Sequence, residues 1–287
     1  MKAKEKFADL HIHTICSDGS WTPRQAVEAA FDRNLSAIAI TDHDNVDGID
    51  EALEAGNEKG VEIIPGVELS SYLKGQENEL HILGYYIDYK SPNLRKILDA
   101  LREERLKRAE NILRKLKENG VILKDDSFVK TAKRNSIGRL HFAKALLNEG
   151  FVSSIQEAFI KYLGYNSSAY VPKVMLPADE AINLIIQSGG IPVLAHPYSS
   201  RCNKDSIKQL IEYGLAGLEV WHIKHTSQMS KTFFDWAIEL DLTATGGSDC
   251  HGNYDGKTPA IMGKLKISYT AVENLKKILK IRNDRNV

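Results

Sequence analysis

The 287-residue chain has only three cysteines, Cys16, Cys202 and Cys250; their odd number, wide spacing and lack of a Cys-x-x-Cys pair exclude a disulfide framework. There is no net charge, with 38 Lys plus Arg against 38 Asp plus Glu, so no global positive field draws it onto nucleic acid or an anionic membrane. No apolar run approaches membrane-spanning length, and the charged start, Met-Lys-Ala-Lys-Glu-Lys, leads into a strand rather than an apolar signal core. A cytoplasmic protein without membrane attachment is expected. Internal repeats and low-complexity segments are missing too, and the Gly-rich stretch 252–263 lacks phosphate-loop spacing.

What is present is a rhythm of apolar strands ending in polar groups. Asp9-Leu10-His11-Ile12-His13 reads as a strand, in which alternation turns His11 and His13 the same way and frees Leu10 and Ile12 for packing. Ser17-Asp18-Gly19 forms a turn, and Thr22-Pro23 opens a helix as cap and first helical residue. Strand 36–40 ends in Thr41-Asp42-His43, before a helix from about Val46 to Lys59. Strand 61–68 ends in Glu68, and a hairpin turn at 74–78 leads to strand 80–87 with His81 near its start, so this strand runs differently from its neighbours. After residue 177 come Ile191–Ala195 ending in His196, Gly217–Trp221 ending in His222, and Leu242–Gly246 leading to Ser248-Asp249-Cys250-His251. Alternating strand and helix signals imply a parallel sheet or barrel, whose active site collects at the carboxyl ends of the strands.

Residues 93–177 break the rhythm. Helical patterns occupy 94–119, 138–150 and 155–163, with no strand of the core type. The expected organisation is a metal-binding barrel of residues 1–92 and 178–287 carrying a mostly helical insertion, 93–177, over the active-site mouth. Within the insertion, Arg134, Ser136 and Arg139 combine two guanidinium groups, a hydroxyl and a helix start, all suited to an anion. Lys173 and Tyr170 are further candidates for the substrate pocket. His141 and His225 read as structural.

Six of the nine histidines, His11, His13, His43, His81, His196 and His251, fall at or beside strands, accompanied by Asp18, Glu68 and Asp249. Imidazole with carboxylate suits zinc, manganese or iron, and nine donors exceed what one tetrahedral ion needs. Two or three divalent ions are expected, with Glu68 or Asp249 available as a bridge. Cys16 and Cys250 adjoin these stretches, where packing is their simpler use.

The motifs His11-x-His13, Thr41-Asp42-His43, His196 and Ser248-Asp249-x-His251, supported by Pro65-Gly66-Val67-Glu68 and His81-x-Leu83-Gly84-Tyr85, resemble those of the polymerase and histidinol phosphatase (PHP) superfamily. The resemblance implies a distorted seven-stranded (β/α)7 barrel with a trinuclear metal cluster at its mouth. It implies His11, His13, Glu68 and Asp249 around one ion, Glu68, His81 and His196 around a second, and Asp18, His43 and His251 around the third. Ile137-Gly138-Arg139-x-His141 looks like the subgroup of nucleotide phosphatases and short-RNA 5′-3′ exonucleases, which carries proline where Leu140 stands.

The expected activity is metal-dependent hydrolysis of a phosphomonoester of a small nucleotide, a nucleoside monophosphate or 3′,5′-bisphosphate, by hydroxide generated between the ions. Arg134, Ser136, Arg139 and Lys173 would grip substrate phosphate, and His222 would protonate the leaving oxygen. The alternatives are 5′-3′ exonuclease action on short RNA ends, aided by stacking on aromatics such as Trp21, Tyr72, Tyr198 and Trp221, metal-dependent amide hydrolysis, and a metal-stabilised module without turnover. No obligate protein partner is evident.

Overall fold

A computed structural model describes residues 5–75, 78–124, 126, 129, 136–253 and 260–285. Packing divides the chain into two compact units, Met1–Arg95 with Leu176–Val287, and Lys96–Met175.

The first unit is a mixed α/β structure around a nearly closed sheet. Its strands are β1 (Phe7–Ile12), β2 (Ala37–Ile40), β3 (Glu62–Tyr72), β4 (Glu79–Tyr85), β5 (Leu176–Pro177), β6 (Ile191–Leu194), β7 (Gly217–His222), β8 (Thr243–Gly247) and β9 (Ile267–Ser268). They follow the order β8-β7-β6-β4-β3-β2-β1-β9, with β5 beside the end of β3. Beyond the strands, His13 N donates to Cys250 O at 2.9 Å and Ser248 N to the Asp9 carboxylate at 2.8 Å, which draws β8 against β1. Gly247 permits that approach, since a Cβ there would stand 2.3 Å from His11 Cβ.

The seven strands expected from sequence all occur, but they do not form a (β/α)7 repeat. β1, β2 and β3 are mutually parallel, as are β6, β7 and β8, whereas β4 is antiparallel to both β3 and β6. The reason is local: β3 and β4 are joined by the short stretch 73–78, and a link of that length can only reverse the chain. β5 and β9, of two residues each, add to the count.

Helices α1 (Pro23–Asp32) and α2 (Ile49–Lys59) pack one face of the sheet, with Ala26, Val27, Ala30, Ala52 and Ala55 against Ile12, Ile38 and Ile40. Thr22 caps α1, as the sequence suggests, and Gln25 closes the cap reciprocally. α2 starts three residues later than its pattern, because Asn45 Oδ1 accepts from Asp47 N at 2.7 Å and holds a turn there. On the other face, Leu10, Ala39, Ile64, Leu83, Tyr85 and Val193 form one core, and the Tyr85 hydroxyl donates to Leu10 O at 2.9 Å across non-neighbouring strands.

Helix α3 (Pro92–Glu118) leads into the second unit, which also holds α4 (Arg139–Asn148), α5 (Ile155–Ala158) and a wide turn at Phe159–Leu163. It has a core of its own around Ile112, Leu116, Phe142, Leu146 and Leu163. The first unit is completed by α6 (Ala178–Gln187), α7 (Lys204–Glu212), α8 (Ser227–Glu239) and α9 (Thr270–Arg285). Among the described residues, no helix is long and apolar enough to cross a membrane.

Candidate metal centre

Two irregularities in the strands aim side chains into the site. In β1 the register with β2 shifts between Asp9 and Ile12. Leu10 therefore belongs to the inner core and Ile12 to the layer under α1 and α2, rather than both packing on one side. In β7 the register with β8 shifts between Glu219 and Trp221, so that Glu219 and His222, three apart, both come within reach of His11. A bulge re-aims side chains in this way next to functional sites.

His11 and His13 converge, their Nε2 atoms 3.1 Å apart, with Glu68 Oε2 at 3.3 and 3.1 Å and Asp249 Oδ1 at 3.6 and 3.2 Å. Glu68 Oε1 stands 2.7 Å from His81 Nδ1 and 3.0 Å from His196 Nε2, and Glu68 Oε2 is 2.9 Å from His43 Nδ1. Asp18 lies 3.2 Å from His251 Nε2 and 3.9 Å from His43 Nε2. All nine residues singled out in the sequence thus come together, and Glu68, fully buried, touches five imidazoles. His196 and Asp249 have φ of 27° and 55°, a left-handed conformation that a non-glycine residue holds only when its surroundings impose it.

The donor set fits cations. Glu68 Oε2 faces three imidazole nitrogens yet makes a well-aligned hydrogen bond with none, and His43 Nδ1 and His196 Nδ1 are likewise buried without one. The buried carboxylates and imidazoles also hold one another's charges. Burial opposes charge on His11, but Glu219, Glu68 and Asp249 outweigh it and hold that imidazole well above its usual pKa. The same contest raises His13 to about 10 and His81 to about 9. His43, where burial wins, falls to about 4, and His196 is also lowered by burial. Asp18, Glu68 and Asp249 stay well below the carboxylate range despite burial, because of the imidazoles around them. Neither Cys16 nor Cys250 offers a thiolate: burial pushes Cys16 up to about 12 and raises Cys250.

In a surrounding layer of carboxylates, Glu219 and Glu79 escape the sequence reading. Glu219, wholly buried, accepts from His11 Nδ1–H at 2.9 Å and from His196 N at 2.7 Å, tying two strand ends together. Glu79 lies 2.9 Å from His81 Nε2. Asp42 accepts from Thr14 N and Thr14 Oγ1 at 2.7 Å each and from Ser17 Oγ at 2.5 Å, shaping the loop that carries Asp18. The one available signal was an acid in the middle of an apolar strand, Leu218-Glu219-Val220.

His222, almost fully buried, has Nε2 3.4 Å from Asp249 Oδ2, while Lys224 N donates to its Nδ1 at 3.2 Å. Lys224 Nζ, on an exposed side chain, is 3.8 Å from the same Asp249 oxygen. His225 donates from Nδ1 to Val220 O at 2.9 Å.

In the second unit, Arg139 opens α4, donates to Leu163 O at 3.2 Å and lies over the rings of Phe159 and Tyr170. Ser136 is buried, its hydroxyl without a hydrogen bond, and Lys173 is half-buried. His141 Nδ1 accepts from Gly138 N at 3.1 Å, capping α4. Arg134 lies outside the described residues.

The PHP domain matches residues 9–113. Over 247 residues the chain is 34% identical to a 5′-3′ exoribonuclease of Haemophilus influenzae, covering 85% of this chain and 89% of that one. It is 32% identical over 253 residues to the 3′,5′-nucleoside bisphosphate phosphatase of Chromobacterium violaceum, covering 86% and 88%. A crystal structure from Bifidobacterium adolescentis, of a protein assigned as a metal-dependent phosphoesterase, superposes with a TM-score of 0.86 at 31% identity, covering 94% and 95%. With its histidines and carboxylates gathered at the strand ends and relatives matched along most of its length, the chain belongs to the PHP family of metal-dependent phosphoesterases.

Proposed function

We propose that this protein hydrolyses a phosphomonoester of a small nucleotide, a nucleoside monophosphate or a 3′,5′-bisphosphate, with two or three divalent cations. The observation that carries this reading is the convergence of nine buried or half-buried imidazole and carboxylate donors on one end of the sheet. His11, His13, Glu68 and Asp249 would hold one ion, Glu68, His81 and His196 a second, and Asp18, His43 and His251 a third. Their nitrogen and oxygen donors suit manganese, iron or zinc. Bound there, the cations supply a water nucleophile at neutral pH and neutralise charge on the phosphoryl oxygens.

The chain's own residues do the positioning. Glu219 fixes His11 with its Nδ1 protonated, which leaves Nε2 as the donor facing the site. Lys224 N occupies His222 Nδ1, so His222 carries its proton on Nε2 and directs it at Asp249. That arrangement favours His222 as the residue that orients Asp249, since service as an acid would need a second proton where Lys224 N already donates. The ammonium of Lys224, beside Asp249, is suited to an anionic substrate.

A second reading, the 5′ end of short RNA as substrate, is favoured by the exoribonuclease relative. Phosphate release from nucleoside monophosphates, 3′,5′-bisphosphates, sugar phosphates and short 5′-phosphorylated RNAs, with manganese added, ranks these substrates. Turnover of a nucleotide that is lost in His13→Ala supports the proposal; release of mononucleotides from the RNAs, read by chromatography, with no phosphate released from nucleotides moves the second reading ahead; a metal-loaded protein silent on the whole panel in both readouts refutes both.

A further inference from the structure

One cavity of about 450 Å³ lies in the first unit between the β6–α7 loop and α8. A volume in this range is typical of small-molecule sites. Its wall begins at Pro197, the residue after His196, and continues through Tyr198 and Arg201 to Met229, Phe233 and Trp236 on α8. The cavity wall thus begins at the chain neighbour of a candidate metal ligand. Rings in tilted contact run between the two: Phe233 and His225 have centroids 4.9 Å apart, and His225 and His222 5.3 Å apart.

The lining is chemically specific. Three aromatic side chains and a thioether supply flat, polarisable surface, and Tyr198, 52% exposed, leaves its ring available. Arg201 also lines the cavity; it has φ of 50°, a left-handed conformation, and is an exposed residue. The Cys202 thiol in the wall is buried and pushed up to about 11, so it packs and does not react. An aliphatic chain would need neither the aromatic faces nor the guanidinium; a flat heterocycle uses both, by stacking and by hydrogen bonding at its edge.

We propose that this cavity is the subsite for the nucleobase of the substrate, with Tyr198, Met229, Phe233 and Trp236 as its stacking surface and Arg201 at its polar edge. The inference rests on the nucleotide reading above, and it adds where base recognition occurs. Lys224 lies on the loop that joins the metal centre to α8, so a phosphoryl group at the centre and a base in the cavity meet one continuous segment, 222–236.

The test compares kcat/KM for adenosine 5′-monophosphate with that for ribose 5-phosphate, which lacks the base, in wild type, Met229→Trp, which fills the cavity, and Tyr198→Ala, at an exposed position. The wild type is expected to prefer the nucleotide by about tenfold or more, as one stacked base commands. In both variants this ratio is expected to fall toward one. A ratio is unaffected by the fraction of protein that folds. Independently of turnover, adenosine alone is expected to quench the fluorescence of Trp236, with the quench lost in Trp236→Phe and in Met229→Trp. Equal turnover of the two esters in wild type, or an unchanged ratio in the variants, overturns the nucleobase subsite and leaves the phosphoesterase reading standing. If neither 5′-monoester is hydrolysed, the quench decides the subsite: present and lost in both variants, it stands; absent, it falls.

Discussion

Replacing Glu219 by Gln removes one charge and changes almost no volume, so it isolates what the carboxylate does. In the structure it accepts two hydrogen bonds, from His11 Nδ1–H and from His196 N. The amide has one accepting oxygen. Turned toward His196 N, it presents its NH2 to His11, whose ring then moves its proton to Nε2, where the lone pair facing His13, Glu68 and Asp249 is lost. Turned the other way, it leaves His196 N buried without an acceptor and loosens a strand end already held at φ 27°. A hydrogen bond to a charged group contributes about 1.5–3 kcal/mol, which corresponds to roughly a 10- to 100-fold loss of metal affinity, the range found for such supporting partners. The assay is chelator competition with manganese or zinc, with ion content read by elemental analysis. Thermal unfolding of the metal-free protein checks that the fold survives. Metal affinity within twofold of wild type would refute the reasoning.

Three further outcomes follow from the same geometry. Metal must displace the protons of His13 and His81, held at about 10 and about 9, so affinity should rise with pH by about tenfold per unit for each proton released; affinity that is equal at pH 6 and pH 8 sinks this account. In the metal-free protein the stabilisation from His81, raised from 6.5 to about 9, is fully present below 6.5 and lost as pH rises through 9, so the unfolding temperature of the stripped protein should drop between pH 7 and 9 more than that of His81→Gln. Gly247→Ala places a methyl group 2.3 Å from His11 Cβ and 2.5 Å from His11 N; overpacking of this kind costs about 1–3 kcal/mol, to be seen as a lower unfolding temperature together with weakened metal binding. For Arg139, assigned to substrate on sequence grounds, Arg139→Ala is expected to raise KM for a nucleotide about tenfold with kcat retained; an unchanged KM returns the guanidinium to its contacts with Leu163, Phe159 and Tyr170.

What the sequence disclosed depended on whether the cause was local. Alternation in Asp9–His13 was enough to pair two imidazoles, and apolar strands ending in His43, Glu68, His196 and Asp249 were enough to place a polar cluster at one end of a sheet. The short 73–78 link disclosed the reversed strand β4, although not its antiparallel pairing with β6, which depends on how the sheet continues 105 residues later in the chain, from Tyr86 to Ile191. Glu219 was illegible for a different reason. A strand read by alternation assigns Glu219 and His222 to opposite faces, and only the register shift between Glu219 and Trp221 brings both to His11. The shift exists because β7 must pair with β8, whose Gly246 and Gly247 let the chain run close to Trp221 and His11. The same logic divides Leu10 from Ile12: the irregularity in β1 sends one to the inner core and the other beneath α1. Ligand candidates with a fixed place in a motif were therefore visible from the chain alone, while the carboxylate that ties two of them together became visible only with the strand register, because bulges are settled by pairing partners and not by the residues that carry them.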